Sequence, residues 1–455
     1  MADTYLSRTN GTATGTQKYT LSFWYKRSAP EGEVRLFNNY ADANNTGQIR
    51  IDSSNKQIII RDYASGSQQL LVTTNRKFRD PSAFYHICIV VDTTQATAGD
   101  RCKLYINGNQ ETDLATTTYP AQNANLAFQQ ATASDQARIG THNGGNGDFL
   151  DGILAHVHYV DGLAYAPTTF GEFDSTSGIW VPITAPSVVY GNNGYFLKFA
   201  NSAAMGTDSS GNSNTYTVNG TGITQNNDTP TNVFMCYNPL DNKPYINTTF
   251  SDANNTIATG SSYTGTNCNM WLTQSKWYWE TKCVSKTGDN DHYSIGIDGS
   301  DPANGTNQYP AAASNSWMID GHSGNVFNNN SGTAYGATFG AGDIIGIALD
   351  LTNNKLYFSK NGVWQNSSDP TSGATGTGAV SITAAASTDI AAYIPCTTFW
   401  SSSSGTFNLN TGGGYFGTTA VASANADANG NGAMEYAVPS GYYTLCTKNI
   451  KEFGI

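Results

Sequence analysis

The chain has 455 residues, and only 13% of them are charged, against about a quarter in an average globular protein. Its net charge of −11 argues against nucleic acid and anionic membranes as partners, because both require a basic patch. The densest basic stretch, Arg76, Lys77 and Arg79, is followed directly by Asp80. Aromatic residues make up 12%, which excludes a disordered chain and is enough for the cores of two or three domains.

The sequence predicts neither a targeting or membrane segment nor paired cysteines. Met1-Ala2-Asp3-Thr4 is polar, and no apolar stretch follows it, so we expect neither a signal peptide nor insertion into a membrane. The seven cysteines are scattered and form no Cys-x-x-Cys pair, so we expect buried, reduced thiols.

The first half of the chain predicts a series of antiparallel strands. Between 19 and 25, aromatic and aliphatic side chains alternate with smaller ones, as in a strand with one buried face. The polar turn 53–56 separates two Ile-rich segments and predicts a hairpin. Further strands are predicted at 85–91, at 103–106 before the turn Asn107-Gly108, and at 152–160.

The second half also predicts a series of short antiparallel strands, which begins after a turn-rich stretch. Residues 186–232 contain two short predicted strands in a polar sequence, and we interpret them as an ordered connector that packs on one or both neighbours. The clearest hairpins follow at 342–364, where Asn353-Asn354 and Asn361-Gly362 supply the turns. We therefore predict an all-β protein of two antiparallel β-sandwich (jelly-roll) domains, 1–185 and 233–455, joined by the connector 186–232.

Four residues are candidates for a metal site. His156 and His158 lie two apart on one predicted strand, so their side chains share a face, and this spacing can hold a metal ion. Asp148 and Asp151 follow a Gly- and Asn-rich loop and offer oxygen ligands for calcium. Asp289 and Asp291 form a second such pair. The alternative for the aspartates is turn formation, and for the histidines a solvent-facing or inter-sheet position.

The sequence offers no catalytic constellation. None of the Glu residues falls in the Glu-x-Asp-x-Glu pattern that would supply the paired carboxyls of a glycosidase, and Glu172-Phe173-Asp174 comes nearest. No Gly-x-Ser-x-Gly occurs. We therefore predict that the protein is not an enzyme and has no bound cofactor.

The first half resembles the concanavalin-like, laminin-G-type jelly rolls of bacteriophage proteins. The resemblance rests on Tyr19-Thr20-Leu21-Ser22-Phe23-Trp24-Tyr25, Leu104-Tyr105-Ile106-Asn107-Gly108 and Gly178-Ile179-Trp180-Val181-Pro182, and covers about the first 225 residues. Laminin-G-type folds often bind calcium, so the resemblance makes calcium the alternative to the predicted absence of a cofactor.

The second half resembles a SPRY domain. Trp277-Tyr278-Trp279-Glu280-Thr281-Lys282 is similar to the opening strand of that family, and the segment from Gly342-Asp343-Ile344-Ile345-Gly346 to Lys360-Asn361-Gly362 is its most recognisable part. SPRY domains of animals bind partner peptides through loops that differ widely, so the resemblance assigns no binding residue.

Together the two resemblances imply a structural protein of a bacteriophage virion. We expect a non-catalytic surface or appendage protein, of the tail or head fibre type, that binds the host surface or its glycans. Its expected location is the virion, and its expected partners are other virion proteins, a host cell-surface glycan or protein, and further copies of itself. The alternatives are a capsid or tail decoration protein with a purely structural role, and a polysaccharide depolymerase.

Overall fold

The computed structural model describes residues 4–28, 32–129, 136–142, 147–242, 248–260, 264–287, 292–301, 310–399 and 404–454. The chain divides into two compact units, Met1–Gln225 and Asn226–Ile455. Each unit is built from antiparallel sheets, and the α-helix among the described residues is the short α1, Thr447–Phe453. The predicted all-β fold of two antiparallel sandwiches is confirmed.

The strands described for the first unit form an eight-stranded sheet, a six-stranded sheet and a small hairpin. In space the eight-stranded sheet runs β10-β6-β5-β4-β3-β11-β1-β16, and the six-stranded sheet runs β15-β12-β2-β7-β8-β9. The strands are β1 Tyr5–Thr9, β2 Lys18–Arg27, β3 Val34–Asp42, β4 Asn45–Ile51, β5 Gln57–Ala64, β6 Ser67–Lys77, β7 Phe84–Asp92, β8 Cys102–Ile106, β9 Asn109–Gln110, β10 Leu114–Thr118, β11 Gln136–Ile139, β12 Gly152–Asp161, β13 Gly171–Phe173, β14 Trp180–Pro182, β15 Tyr195–Leu197 and β16 Thr217–Asn219.

The alternation read from the sequence sets which side chains enter the first core. Tyr19, Leu21, Phe23 and Tyr25 of β2 are fully buried against core residues of the eight-stranded sheet such as Ile60. Successive side chains of a strand point to opposite faces, so the intervening residues of β2 face the other side of the six-stranded sheet. There Thr20 Oγ1 accepts a hydrogen bond from the Tyr165 N–H and donates one to the Leu163 carbonyl, both in the segment that follows β12.

The segment predicted as a connector supplies strands to the first unit. Its β15 pairs with β12, and its β16 pairs with β1. The boundary between the compact units falls after Gln225, inside the predicted connector. The predicted division of the chain at 185 and 232 into three parts stays a prediction.

The strands described for the second unit form two large sheets and a separate two-stranded sheet, β32-β33. The seven-stranded sheet runs β17-β20-β30-β22-β23-β24-β25, and the nine-stranded sheet runs β18-β19-β31-β21-β26-β27-β28, with β29 beside β27 and β34 beside β21. The strands are β17 Tyr237–Asn242, β18 Thr248–Ser251, β19 Thr256–Thr259, β20 Thr264–Cys268, β21 Lys276–Lys286, β22 Tyr293–Asp298, β23 Ser316–Asp320, β24 Asn325–Asn328, β25 Ser331–Ala334, β26 Ile344–Asp350, β27 Lys355–Lys360, β28 Val363–Trp364, β29 Val380–Ser381, β30 Ile394–Phe399, β31 Gly405–Asn410, β32 Tyr415–Phe416, β33 Thr419–Ala420 and β34 Tyr443–Thr444.

The hairpins predicted at 342–364 are confirmed as β26, β27 and β28. Asn354, Asn361 and Gly362 take positive φ angles of 56°, 50° and 78°, which Asn and Gly adopt more readily than other residues. The core of this unit is rich in aromatic rings, including Trp277 and Trp279 of β21. All seven cysteines are buried, as expected, and none is in a disulfide bond.

Candidate functional site

Asp148 and Asp151 lie in the loop that precedes β12. Asp148 has a φ of 51°, and its carboxylate accepts a hydrogen bond from Arg35 Nε at 3.3 Å. The carbonyl of Asp151 accepts bonds from Tyr25 Oη at 3.2 Å and from the Ser28 N–H at 3.4 Å. The Asp148 carboxylate is thus paired with a cation of the chain itself.

The two histidines of β12 lie at a bulge. The pairing of β12 with β2 shifts register between Ala155 and His158, and His156 has a φ of 47°. Both rings lie against Phe196, with centroids 6.2 Å away for His156 and 3.9 Å away for His158. His158 Nδ1 is 2.8 Å from Tyr190 Oη, and its side chain is buried.

A third histidine, His86 of β7, is buried against the rings of Trp24 and Trp180. Trp180 Nε1 donates to His86 Nδ1 at 2.9 Å, so the ring proton of neutral His86 lies on Nε2 and is donated to Ser22 Oγ at 2.8 Å. Burial lowers the pKa of His86 to about 3 and lowers the pKa of His158 well below its usual value. A histidine that donates to the serine cannot accept its proton, so this Ser–His pair is not an activated nucleophile.

The described residues do not form a metal centre. No group of three His, Cys, Asp or Glu side chains among them could hold a metal ion. Asp289 and Asp291 lie outside the described residues. A metal at Asp148, Asp151, His156 or His158 stays a prediction.

The second unit buries one carboxyl that sequence reasoning did not single out, Glu280 of β21. It accepts hydrogen bonds from the N–H groups of Glu435 and Tyr436, both at 2.8 Å, from Tyr278 Oη at 3.1 Å and from Asn410 Nδ2 at 3.3 Å. Burial raises the pKa of Glu280 to about 7, against the opposing effect of these four donors. The carboxyl is fully enclosed, so it fastens the segment around 435 to the sheet and contacts no solvent.

The sequence Asp-Ala-Asn-Gly-Asn-Gly at 427–432 matches the start of a calcium loop, a signal that the sequence interpretation missed. In the structure, the carboxylate of Asp427 already accepts hydrogen bonds from several donors of the chain. Asp427 accepts two backbone N–H groups of its own loop at 2.9 and 3.0 Å, and it also accepts the Thr444 N–H, Thr444 Oγ1 and Asn449 Nδ2 at 2.9, 2.8 and 2.7 Å. Five donors leave the Asp427 carboxylate little capacity to bind a cation, so its role in this loop is structural.

Trp271 is an exposed aromatic residue on the second unit. Its side chain is 59% exposed, although the loop that carries it, 269–275, is anchored on both sides; before Trp271, the Asn269 N–H donates to the Cys236 carbonyl at 3.0 Å. Leu272 is buried and exchanges two backbone hydrogen bonds with Tyr393 at 2.8 and 2.9 Å. Ser275 Oγ donates to the Phe453 carbonyl at 2.6 Å. The indole is therefore exposed to solvent on a loop that hydrogen bonds fix in place. The sequence alone did not show this exposure.

Comparison with known proteins identifies both units. The model of the Concanavalin A-like lectin/glucanases superfamily matches residues 1–164, and that of the SPRY domain matches residues 276–396. The chain contains a concanavalin A-like domain and a SPRY domain. SPRY domains are typically interaction domains and not catalytic ones.

Curated relatives match a small part of the chain. Ran-binding protein 9 of Homo sapiens is 36% identical over 87 residues, which are 19% of this chain and 12% of the relative. Ran-binding protein 10 of Danio rerio is 36% identical over 87 residues, 19% of this chain and 14% of the relative. The Ran-binding proteins 9/10 homolog of Drosophila melanogaster is 34% identical over 88 residues, 19% of this chain and 9% of the relative. The chain thus spans about a tenth of the length of the curated relatives it matches.

Two solved SPRY domains are similar to part of the chain. The SPRY domain of human HERC1 is 21% identical and covers 34% of this chain and 87% of that chain, with a TM-score of 0.27. A human SPRY domain is 15% identical and covers 36% of this chain and 94% of that chain, with a TM-score of 0.26.

These matches correct the expected role. The resemblance to concanavalin-like and SPRY domains is supported, but the bacteriophage origin is not, because the matched Ran-binding proteins are eukaryotic. The expected virion appendage role, with its decoration and depolymerase alternatives, is therefore wrong, and so are the virion partners and the virion location. No helix in the part of the chain that the structure describes is long and apolar enough to cross a membrane.

Proposed function

We propose that this chain is a non-catalytic protein-binding protein whose second unit holds a partner protein at the loop that carries Trp271, just before the residues that match the SPRY domain. The observation that carries the proposal is the 59% exposure of this indole on a folded domain of an interaction family. Tryptophan is enriched among the residues that dominate binding energy in protein interfaces, because it buries a large area with few rotatable bonds.

The rigidity of the loop supports the same role. Backbone hydrogen bonds tie the loop to Cys236 before Trp271 and to Tyr393 after it, so displaying the indole costs little ordering entropy when a partner binds. The second unit offers a matched comparison in Val363, which is 66% exposed and is the first residue of β28, paired with Lys360 of β27. Truncation of either side chain removes exposed apolar area without opening a buried cavity.

The experiment compares the wild-type chain with Trp271→Ala and Val363→Ala. Each protein is immobilised and exposed to a eukaryotic cell extract, and bound proteins are quantified by mass spectrometry. We expect at least one protein that wild type and Val363→Ala retain equally and that Trp271→Ala binds about 30-fold more weakly, the loss typical of a central interface tryptophan. If Trp271→Ala retains every protein that wild type retains, the proposal fails.

A purified probe makes the partner question specific. The relatives are named Ran-binding proteins, so purified Ran is titrated against the same three variants. Binding that depends on Trp271 identifies Ran as a partner of this loop. If wild type does not bind Ran, the chain does not share that partner, and the extract experiment alone decides the proposal.

A further inference from the structure

Four arginines lie on one face of the concanavalin A-like domain, and we propose that this arginine face binds a carboxylate-bearing peptide segment of a partner protein. Arg35, Arg50, Arg61 and Arg138 belong to β3, β4, β5 and β11, which are consecutive in the order β5-β4-β3-β11 of the eight-stranded sheet. The proposal concerns a different domain from Trp271 and does not depend on the proposed function.

Strand alternation places these four side chains on the side away from the core. Arg50 lies between the buried core residues Ile49 and Ile51, and Arg61 follows the buried Ile60. Arg138 precedes Ile139, which is also part of the core. Since neighbours along a strand point to opposite faces, the arginines share the outer face of the sheet.

The strand register aligns the arginines into two adjacent rows. One row runs across the sheet from Arg138 through Asn38 and Gln48 to Arg61, because these residues are successive cross-strand partners. Arg35 and Arg50 are direct partners in the neighbouring row. Arg138 and Arg61 are separated by three strand spacings, which is about 14 Å.

The neighbouring row is already neutralised in part by the chain. Arg35 contacts Glu33 at 2.7 Å and Asp148 at 3.3 Å, and Arg50 contacts the same Glu33. Two carboxylates therefore balance two guanidinium groups, and this row is the less available one.

The longer row retains unpaired donors. Arg138 Nε and Nη1 are shielded from solvent and have no hydrogen-bond acceptor among the described residues, and Arg61 Nε is in the same state. Neither arginine has a carboxylate partner in the described ranges; Arg138 donates to Gln136 Oε1, and Arg61 lies over the ring of Tyr63, with a centroid distance of 4.4 Å. Shielded donors without acceptors are costly, so these two guanidinium groups favour an incoming acceptor.

The chemistry of the row selects carboxylates on a peptide. A guanidinium presents a planar fork of donors that matches a carboxylate in bidentate geometry. An extended peptide advances about 3.3 Å per residue, so two acidic side chains about four residues apart reach Arg138 and Arg61 from the same side of the strand. Between them, the buried Asn38 donates its Nδ2 to the Gly47 carbonyl and Gln48 Oε1 accepts from Arg35 Nη1, so the two arginines are the groups of this row that a peptide would engage.

The net charge disfavours long polyanions at this surface. Affinity for nucleic acid grows with the number of phosphates neutralised, and this row offers two unpaired cations on a chain of charge −11. A short segment with two carboxylates makes the same contacts and places fewer of its charges against the acidic remainder of the protein.

The test uses fluorescein-labelled peptides of about twelve residues with neutral Gly, Ser and Thr and two aspartates about four positions apart, the spacing set by the extended rise. A matched peptide carries asparagine at both positions. Anisotropy titrations with the full chain are run at low and at physiological ionic strength. We expect the aspartate peptide to bind at least about tenfold more tightly than the asparagine peptide at low salt, as charge-assisted hydrogen bonds require.

Substitutions of Arg61 and Arg138 test whether the aspartate peptide binds to this row. Arg61→Gln and Arg138→Gln are each expected to weaken the aspartate peptide at least about fivefold, and Arg61→Lys to weaken it less, because lysine keeps the charge and loses the fork. Arg79→Gln, an exposed arginine of the same domain outside the row, is the control and is expected to change affinity by less than about twofold. If a glutamine variant does not fold, the loss of peptide affinity in Arg61→Lys tests the proposal in its place.

Three results would overturn the proposal. The first is equal or undetectable binding of the aspartate and asparagine peptides by wild type. The second is a loss in Arg79→Gln as large as in Arg61→Gln. The third is binding of labelled oligothymidylate or of a heparin fragment about tenfold more tightly than the peptide, which would assign the face to a polyanion.

Discussion

Glu280 fastens the segment around residue 435 to the nine-stranded sheet, and removing its carboxyl should release that segment. Glu280→Ala leaves the N–H groups of Glu435 and Tyr436, both 2.8 Å from the carboxylate, without their acceptor. A hydrogen bond to a charged acceptor contributes about 1.5–3 kcal/mol, so the two bonds together contribute about 3–6 kcal/mol to keeping the segment closed.

The assay is hydrogen exchange followed by mass spectrometry at about pH 8, where a carboxyl with a pKa of about 7 is ionised. Each 1.4 kcal/mol is a factor of about ten, so protection of the Glu435 and Tyr436 amides should fall by about two to four orders of magnitude. The control is Glu172→Ala, which makes the same chemical change at an exposed position of the other domain. A decrease of less than about tenfold would refute the assignment of Glu280 as the anchor of this segment.

Three further predictions concern pH and packing. Burial raises the folded pKa of Glu280 from 4.5 to about 7, so the part of the stability that comes from its bound proton is present below pH 4.5 and is lost as pH rises through 7, whereas the hydrogen bonds from the Glu435 and Tyr436 N–H groups remain on the ionised carboxylate; wild type should lose about 3 kcal/mol more than Glu280→Gln between those values, measured by exchange of the β21 amides. Burial lowers the folded pKa of His86 from 6.5 to about 3, so its contribution is present above pH 6.5 and is lost as pH falls; between pH 7 and pH 5, wild type should lose about 2 kcal/mol more than His86→Gln in exchange of the β7 amides, and equal losses would contradict this. A Cβ at Gly47 would lie 2.5 Å from the Phe128 ring, so Gly47→Ala should destabilise the first domain by about 1–3 kcal/mol in urea unfolding, whereas Gly99→Ala, which has no neighbour within 4 Å, should not.

The fold was accessible from the sequence because its signals are local. The alternation at 19–25 and the Asn turns near 354 and 361 depend on residues a few positions apart, and the structure confirms the strands and hairpins that they predict. The two domain resemblances rest on equally local motifs, and the family models support them.

The predicted virion role was wrong because it extended domain resemblance and composition to a biological setting. A surface poor in charge constrains solubility and partners of opposite charge, but it does not specify an organism or a partner. The matched Ran-binding proteins overturn that inference without altering the domains themselves.

The arginine face shows the limit of a scan along the chain. The scan found Arg76, Lys77 and Arg79 as the densest basic stretch, whereas the row that the structure assembles comes from positions 61 and 138. Their proximity depends on the pairing register of four strands, and a shift of one residue would turn each side chain into the core.

The sequence by itself determined that this protein consists of antiparallel strands with aromatic interiors, because the alternation of side chains is a property of each strand alone. Tertiary structure decided which polar groups share a surface, which histidines are buried and which carboxyl is enclosed. Those properties depend on contacts between residues far apart in the chain, as between Glu280 and the N–H of Tyr436, and on the solvent that such contacts exclude.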